Sequence, residues 1–181
     1  KAEQEAKSFC PNQTGCPTQI KGRLVHFLSR KAMNVIAGDA TIEQLYNLAL
    51  VWNVADFYDL RKEHLISLEG WKERAAERFL KSIDESRNVP FERVLYALGI
   101  RYVGEATAKS VAKHFGNIDN IASASVESLL QVDDVGQVIA ESISEFFASD
   151  ENLEVISRLK AAGLRFESDE APKQLSDSLA G

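Results

Sequence analysis

The chain has 181 residues, 45% of them hydrophobic, and a formal net charge of −6. That length admits one compact domain or two small ones, and the apolar content can fill a core. No apolar run approaches a bilayer span and no cleavable leader is visible, so the expectation is a soluble, cytoplasmic protein with no membrane partner. β-type alternation is nearly absent, and four prolines and ten glycines leave room for long helices, which predicts an all-α fold.

In chain order, residues 1–19 are turn-rich and hold both cysteines. Cys10 and Cys16, with Gly15 and two prolines around them, look like one knuckle of a structural zinc site. Such a site needs four ligands, and no second cysteine pair is present. A disulfide is disfavoured in the cytosol, and two unconnected thiols are the plain alternative. His26, the nearest nitrogen, falls within the next predicted helix, Ile20–Met33, whose buried side holds Leu24, Phe27, Leu28 and Ala32. Thr41–Leu50 follows, with Thr41 as its N-cap. Val54–Leu60 is a short aromatic linker packed on the core. Glu73–Arg87 is a longer helix with Glu77 and Lys81 at favourable i,i+4 spacing. Pro90 opens a helix running to Leu98, and helices Glu105–Phe115, Val126–Leu130 and Gln137–Phe147 succeed it. The last predicted helix runs from an Asp150 cap to Ala162, stopped by Gly163. From Ser168 the chain is polar and acidic, a linker or tail.

A repeat of 32 residues runs through this order. Leu68-Glu69-Gly70-Trp71-Lys72, Ile100-Arg101-Tyr102-Val103-Gly104 and Val132-Asp133-Asp134-Val135-Gly136 occupy equivalent places. Downstream, Ala76, Ala108 and Ala140 align, then Phe79, Val111 and Ile143, then Ile83, Phe115 and Phe147. Those offsets mark one face of a helix. Each unit is thus apolar anchor, tight turn, apolar anchor, amphipathic helix, and a fixed period implies stacked units sharing a core. An eroded first unit lies at Val35-Ile36-Ala37-Gly38, about one residue short. A glycine where a turn enters a helix permits close backbone approach, while the first helical amides point outward as unpaired donors at the positive end of the dipole. Together these suit a phosphate.

The pattern resembles the helix-hairpin-helix motif, apolar-x-Gly-apolar-Gly, which holds nucleic-acid backbones without reading bases. It departs from that motif at Tyr102 and Asp134, each at a first glycine, and at Lys72, at a second. Asp133 and Asp134 would repel a phosphate, which makes the fourth hairpin a candidate for a purely structural role. Charge is distributed unevenly. Residues 1–35 carry +4, residues 36–116 carry −1 and residues 117–181 carry −9, so the acidic excess sits C-terminally and leaves room for a local basic face.

More specific strings point to a family. His26-Phe27-Leu28-Ser29-Arg30-Lys31-Ala32-Met33, after a cysteine knuckle, resembles the segment joining zinc finger to helix-hairpin-helix domain in bacterial NAD-dependent DNA ligase. Leu95-Tyr96-Ala97-Leu98-Gly99-Ile100-Arg101-Tyr102-Val103-Gly104-Glu105-Ala106-Thr107-Ala108, then Asp133-Asp134-Val135-Gly136 and Phe146-Phe147, extend the resemblance over roughly residues 8 to 167. The family seals nicks in duplex DNA during replication and repair, using NAD to adenylate a lysine, with magnesium. The resemblance implies that residues 1–19 are the second half of a four-cysteine zinc finger, with Cys10 and Cys16 as its last two ligands. It makes residues 20–167 the helix-hairpin-helix domain and residues 168–181 a linker towards a BRCT domain. Gly38, Gly104 and Gly136 then stand at the glycines that approach the DNA backbone, and Gly70 holds the first glycine of its hairpin. Lys72 would substitute charge for a backbone contact, and Arg30, Lys31, Arg101 and Lys109 are candidate phosphate partners. For each of these the plain alternative is a solvated surface charge.

The lysine motif, NAD module and oligonucleotide-binding barrel of that family are not in this sequence, and His26, His64 and His114 are scattered. No catalysis is therefore expected of the chain alone. The implied partners are nicked double-stranded DNA in the bacterial nucleoid and the other domains of the same ligase. Two other readings fit a helix-hairpin-helix chain: a stand-alone repair module that binds DNA, or a protein-interaction scaffold whose hairpins are only architecture.

Overall fold

A computed structural model describes residues 17–35 and 37–168. Ten α-helices and one 3-10 helix make up this region, with no strand among the described residues beyond an isolated antiparallel bridge between Asn117 and Glu167. The helices are α1 (Pro17–Leu28), α2 (Asp39–Asn47), α3 (Lys62–Ile66), α4 (Glu73–Ser86), α5 (Phe91–Ala97), α6 (Glu105–Phe115), α7 (Ile118–Ala122), α8 (Val126–Leu130), α9 (Gln137–Ala148) and α10 (Asp150–Ala162). The 3-10 helix is Val54–Asp59. The all-α expectation holds, and the repeat appears as helix pairs: α1 with α2, α3 with α4, α5 with α6, α8 with α9.

The repeat positions build the shared core. Ala76, Ala108 and Ala140 are buried, as are Phe79, Val111 and Ile143, and so are Ile83 and Phe147. Phe115 is only partly buried against that core. Phe27, Phe57, Phe79 and Phe91 are its largest enclosed side chains, and Phe27 lies 6.1 Å from Phe57 in a stacked pair. Burial of such rings contributes about 1.5–3 kcal/mol each.

Several boundaries differ from the sequence expectation. The first helix ends at Leu28 rather than Met33. Beyond it the chain turns: Asn34 N–H donates to Ser29 O at 2.8 Å and Val35 N–H to Leu28 O at 3.0 Å, with Asn34 at φ 56°. Ala32 and Met33 are buried all the same, which is why their apolar spacing mimics a longer helix. Gly38, not Thr41, caps α2. Ser149, not Asp150, caps α10, its hydroxyl accepting from Asn152 N–H. The Val54–Asp59 segment is a capped 3-10 helix rather than a linker, because Asn53 accepts from Ala55 N–H at 3.0 Å while Asp56 accepts from Asn53 N–H at 3.0 Å. Helices α3, α7 and α8 have five residues each, and of these only α8 is expected from the sequence.

Long-range polar contacts fasten the helices. Arg158 of α10 donates to Asp56 at 2.8 Å and Asp59 at 2.6 Å, holding α10 to the 3-10 helix. Arg87 donates to Ala162 O at 2.6 Å at the C-terminal end of α10, where carbonyls lack helical partners. The Tyr58 hydroxyl pairs with Ser86 at 2.7 Å. Burial pushes the Tyr58 phenol up to about 12, against the smaller opposing pulls of Ser86 and Arg87.

Candidate nucleic-acid interface

Three hairpins of the repeat share one backbone. Trp71 N–H donates to Leu68 O at 3.1 Å, Val103 N–H to Ile100 O at 3.0 Å and Val135 N–H to Val132 O at 3.1 Å. The central residue of each turn is left-handed: Gly70 at φ 84°, Tyr102 at φ 70° and Asp134 at φ 74°. Loss of the first glycine has therefore not changed the turn. Tyrosine and aspartate occupy the same conformation at a cost of about 1–2 kcal/mol each. Buried anchors on either side hold them there: Ile100 and Val103 in one hairpin, Val132 and Val135 in the other.

The residue that enters each following helix is extended. Lys72 has φ −123°, Gly104 φ −92° and Gly136 φ −97°, and Gly38 matches them at φ −90°. Any residue adopts such angles. A Cβ built on Gly38, Gly104 or Gly136 meets nothing within 4 Å, and Lys72 shows that a side chain fits there. Neither backbone conformation nor packing within the chain requires glycine at these three positions. What a glycine does supply is open access to the first amides of α2, α6 and α9, which no side chain caps.

Hairpins three and four are locked together reciprocally. Ser110 of α6 donates to the Asp134 carboxylate at 3.0 Å, and Ser142 of α9 donates to Arg101 O at 2.6 Å. Ser110 and Ser142 are one repeat apart, so each helix fastens the other's hairpin, the relationship of an approximate two-fold axis. Asp134 thus has a partner in the neighbouring unit.

The candidate basic residues fall in two places. Arg30 and Lys31 lie in the turn after α1 and face Lys109 of α6 across a cleft also lined by Arg93, Tyr96, Glu92 and Glu105. Arg30, Lys31 and Lys109 are exposed, and with Arg93 they outnumber the two glutamates. Lys31 Nζ lies 3.8 Å from Glu105 in the first turn of α6, which sets this basic turn beside the Gly104 helix entry. Arg93 is absent from the sequence-derived set. It donates to Arg30 O at 2.8 Å and Lys31 O at 3.3 Å, so it positions that turn. Nothing local in the sequence signals a bond across 63 residues. His26 joins the same two units: its Nε2 lies 2.8 Å from Tyr96 O and its ring 4.6 Å from the Tyr96 ring.

Arg101 is separate from the cleft, at the tip of hairpin three, with its guanidinium 5.2 Å from the Tyr102 ring centre. Gly70 and Lys72 are exposed on hairpin two. Beside them Lys62, not Lys81, takes Glu77, at 3.1 Å, and also Glu73 at 3.2 Å. Gly38 is exposed, while its neighbour Ile36 lies outside the described residues. So do Cys10 and Cys16. Among the described residues no group of three histidines, cysteines or carboxylates is placed to hold a metal, and no helix is long and apolar enough to cross a membrane.

Repeated hairpins on an all-helical core define a helix-hairpin-helix protein, and the family model described as "Helix-hairpin-helix motif" matches residues 93–156, from α5 into α10. Along nearly its whole length the chain is also similar to proteins named DNA ligase. It is 48% identical over 181 residues to that of Phocaeicola vulgatus, 46% over 180 residues to that of Parabacteroides distasonis and 46% over 181 residues to that of Flavobacterium psychrophilum. Each match covers 99% of this chain and 27% of the relative. The chain is therefore homologous to a segment of bacterial DNA ligase and spans about a quarter of the length of these curated relatives.

Proposed function

We propose that the chain is the DNA-backbone-binding portion of an NAD-dependent DNA ligase, gripping nicked duplex through phosphates without choosing sequence. The carrying observation is the Gly104 helix entry, uncapped and open where a Cβ would fit, set beside the turn that bears Arg30 and Lys31. Helix-entry amides and flexible cations are two of the kinds of donor that hold a phosphate. Gly38 repeats the arrangement on α2, Gly136 offers it next to two aspartates, and Lys72 replaces it by a charge.

In this reading Cys10 and Cys16 are two of four zinc ligands, and zinc would fix the finger before α1. NAD and magnesium serve a nucleotidyltransferase site elsewhere in the whole protein, whose other domains are further partners, acting on replication and repair nicks in the cytoplasm. The segment positions and does not react.

The test is fluorescence anisotropy of a nicked duplex titrated with the chain at several salt concentrations, beside Gly104→Asp. Aspartate is a favoured N-cap and meets no steric obstacle, so the variant should fold at least as stably. Its carboxylate would occupy the free amides and repel phosphate. Binding that falls steeply with salt and drops at least tenfold in the variant supports phosphate clamping. Absence of binding at low salt would instead favour hairpins that serve only as architecture.

A further inference from the structure

Tyr102 and Asp134 are both non-glycine residues held at positive φ at equivalent hairpin tips, yet among the described residues only one of the two side chains makes a hydrogen bond. Asp134 accepts a hydrogen bond from Ser110. Tyr102 leaves 57% of its surface in solvent, and among the described residues its hydroxyl has no hydrogen-bond partner. Gly70 fills the same place at φ 84° without a side chain, so the turn does not need the ring. The tip that carries it is rigid: Ile100 and Val103 are buried on either side and Ser142 holds Arg101 O. Arg101 sets its guanidinium over the ring, leaving a flat apolar surface edged by a cation. Strain at an exposed site whose side chain makes no hydrogen bond among the described residues points to a role in contact.

We infer that Tyr102 is a DNA-contact residue whose ring lies on a deoxyribose of the strand held at the Gly104 helix entry. This rests on the backbone-binding reading above. One residue, Val103, separates Tyr102 from the helix entry at Gly104, so their Cα atoms are at most about 7 Å apart, and the group next along a strand from a bound phosphate is its sugar. A sugar offers C–H faces rather than hydrogen-bond codes, so an aromatic surface there adds affinity without sequence preference. Arg101, over the ring, is placed for the neighbouring phosphate.

The experiment compares the chain with Tyr102→Gly and Tyr102→Phe for binding to nicked duplex across a salt series, with thermal melting of each. Tyr102→Gly should melt no lower than the parent, because the turn already accepts glycine, yet bind roughly five- to tenfold more weakly through lost apolar contact. Its salt slope should be unchanged, since no charge is removed. Tyr102→Phe should bind like the parent. Equal affinity of Tyr102→Gly and parent would overturn the inference and leave phosphate clamping standing. So would a loss in Tyr102→Phe as large as in Tyr102→Gly, which would assign the contact to the hydroxyl. A lower melting temperature with unchanged affinity would make the ring a structural element. Failure of the parent chain to bind would remove both readings together.

Discussion

Hairpins three and four are near copies in backbone and opposites in chemistry. Both turn through a left-handed non-glycine residue, both bury an apolar anchor on each side and both enter their helix through an extended glycine. One tip shows Arg101 and an exposed ring, with Lys31 beside its helix entry. The other shows Asp133 and Asp134, the latter taken by Ser110 of its neighbour. Buried anchors and the bond from the second anchor's N–H to the first anchor's carbonyl, Val103 to Ile100 and Val135 to Val132, hold both turns, so what stands at the tip is free to change. In this pair one copy presents a cation and an exposed ring at its tip, and the other presents two carboxylates, one of them bonded to its neighbour.

The same substitution in both copies gives the sharpest break of that comparison. Gly104→Asp should cost at least tenfold in affinity for nicked duplex, whereas Gly136→Asp, already beside two carboxylates, should change it less than twofold; anisotropy at one low salt concentration separates them. Equal losses would mean that both hairpins clamp. Stability, by contrast, should treat the copies alike. Ala108 and Ala140 are both fully buried where the helix meets its hairpin, so leucine at either should overpack the core by about 1–3 kcal/mol, measured by denaturant melts.

Removing one charge from the cleft should have a smaller effect. Lys109→Ala should weaken binding a few-fold at every sequence and lower the salt slope by about 0.9, with melting unchanged. An unaltered slope would place Lys109 outside the interface.

The least visible effect concerns a residue outside the pair and changes with pH only in alkali. The Tyr58 phenol is raised by burial to about 12, so the fold favours its neutral form. Stability from that preference is fully present below the ordinary value near 10 and is lost as pH rises through about 12. Difference absorbance should show Tyr58 ionising late, and Tyr58→Phe should flatten the loss of stability across that window.

Local features were legible in the residues alone. The 32-residue period located the hairpins, and helices α6 and α8 begin and end where their patterns place them. The aligned alanines and the apolar residues after them went to the core, because burying an amphipathic face follows from spacing. The expectation differed where apolar spacing outlived the helix, as at Ala32 and Met33, and at the five-residue helices α3 and α7, although α8, equally short, lies where expected. The choice of cap at Ser149 over Asp150 turned on side-chain geometry that two adjacent good capping residues leave open.

The sequence by itself determined the repeat, the helical class, the helix-entry glycines and the short set of basic residues worth considering. Only the tertiary structure decided which of those charges share a surface: Arg30, Lys31 and Lys109 around one cleft, Arg93 recruited to hold their turn, and Arg101 set apart at a hairpin tip. It also exchanged Lys81 for Lys62 as the partner of Glu77 and tied Ser110 and Ser142 crosswise. The physical reason is range. Turn and helix are set by interactions over a few residues, whereas a charge's neighbours are set by how whole units pack, and packing here joins residues more than 60 positions apart.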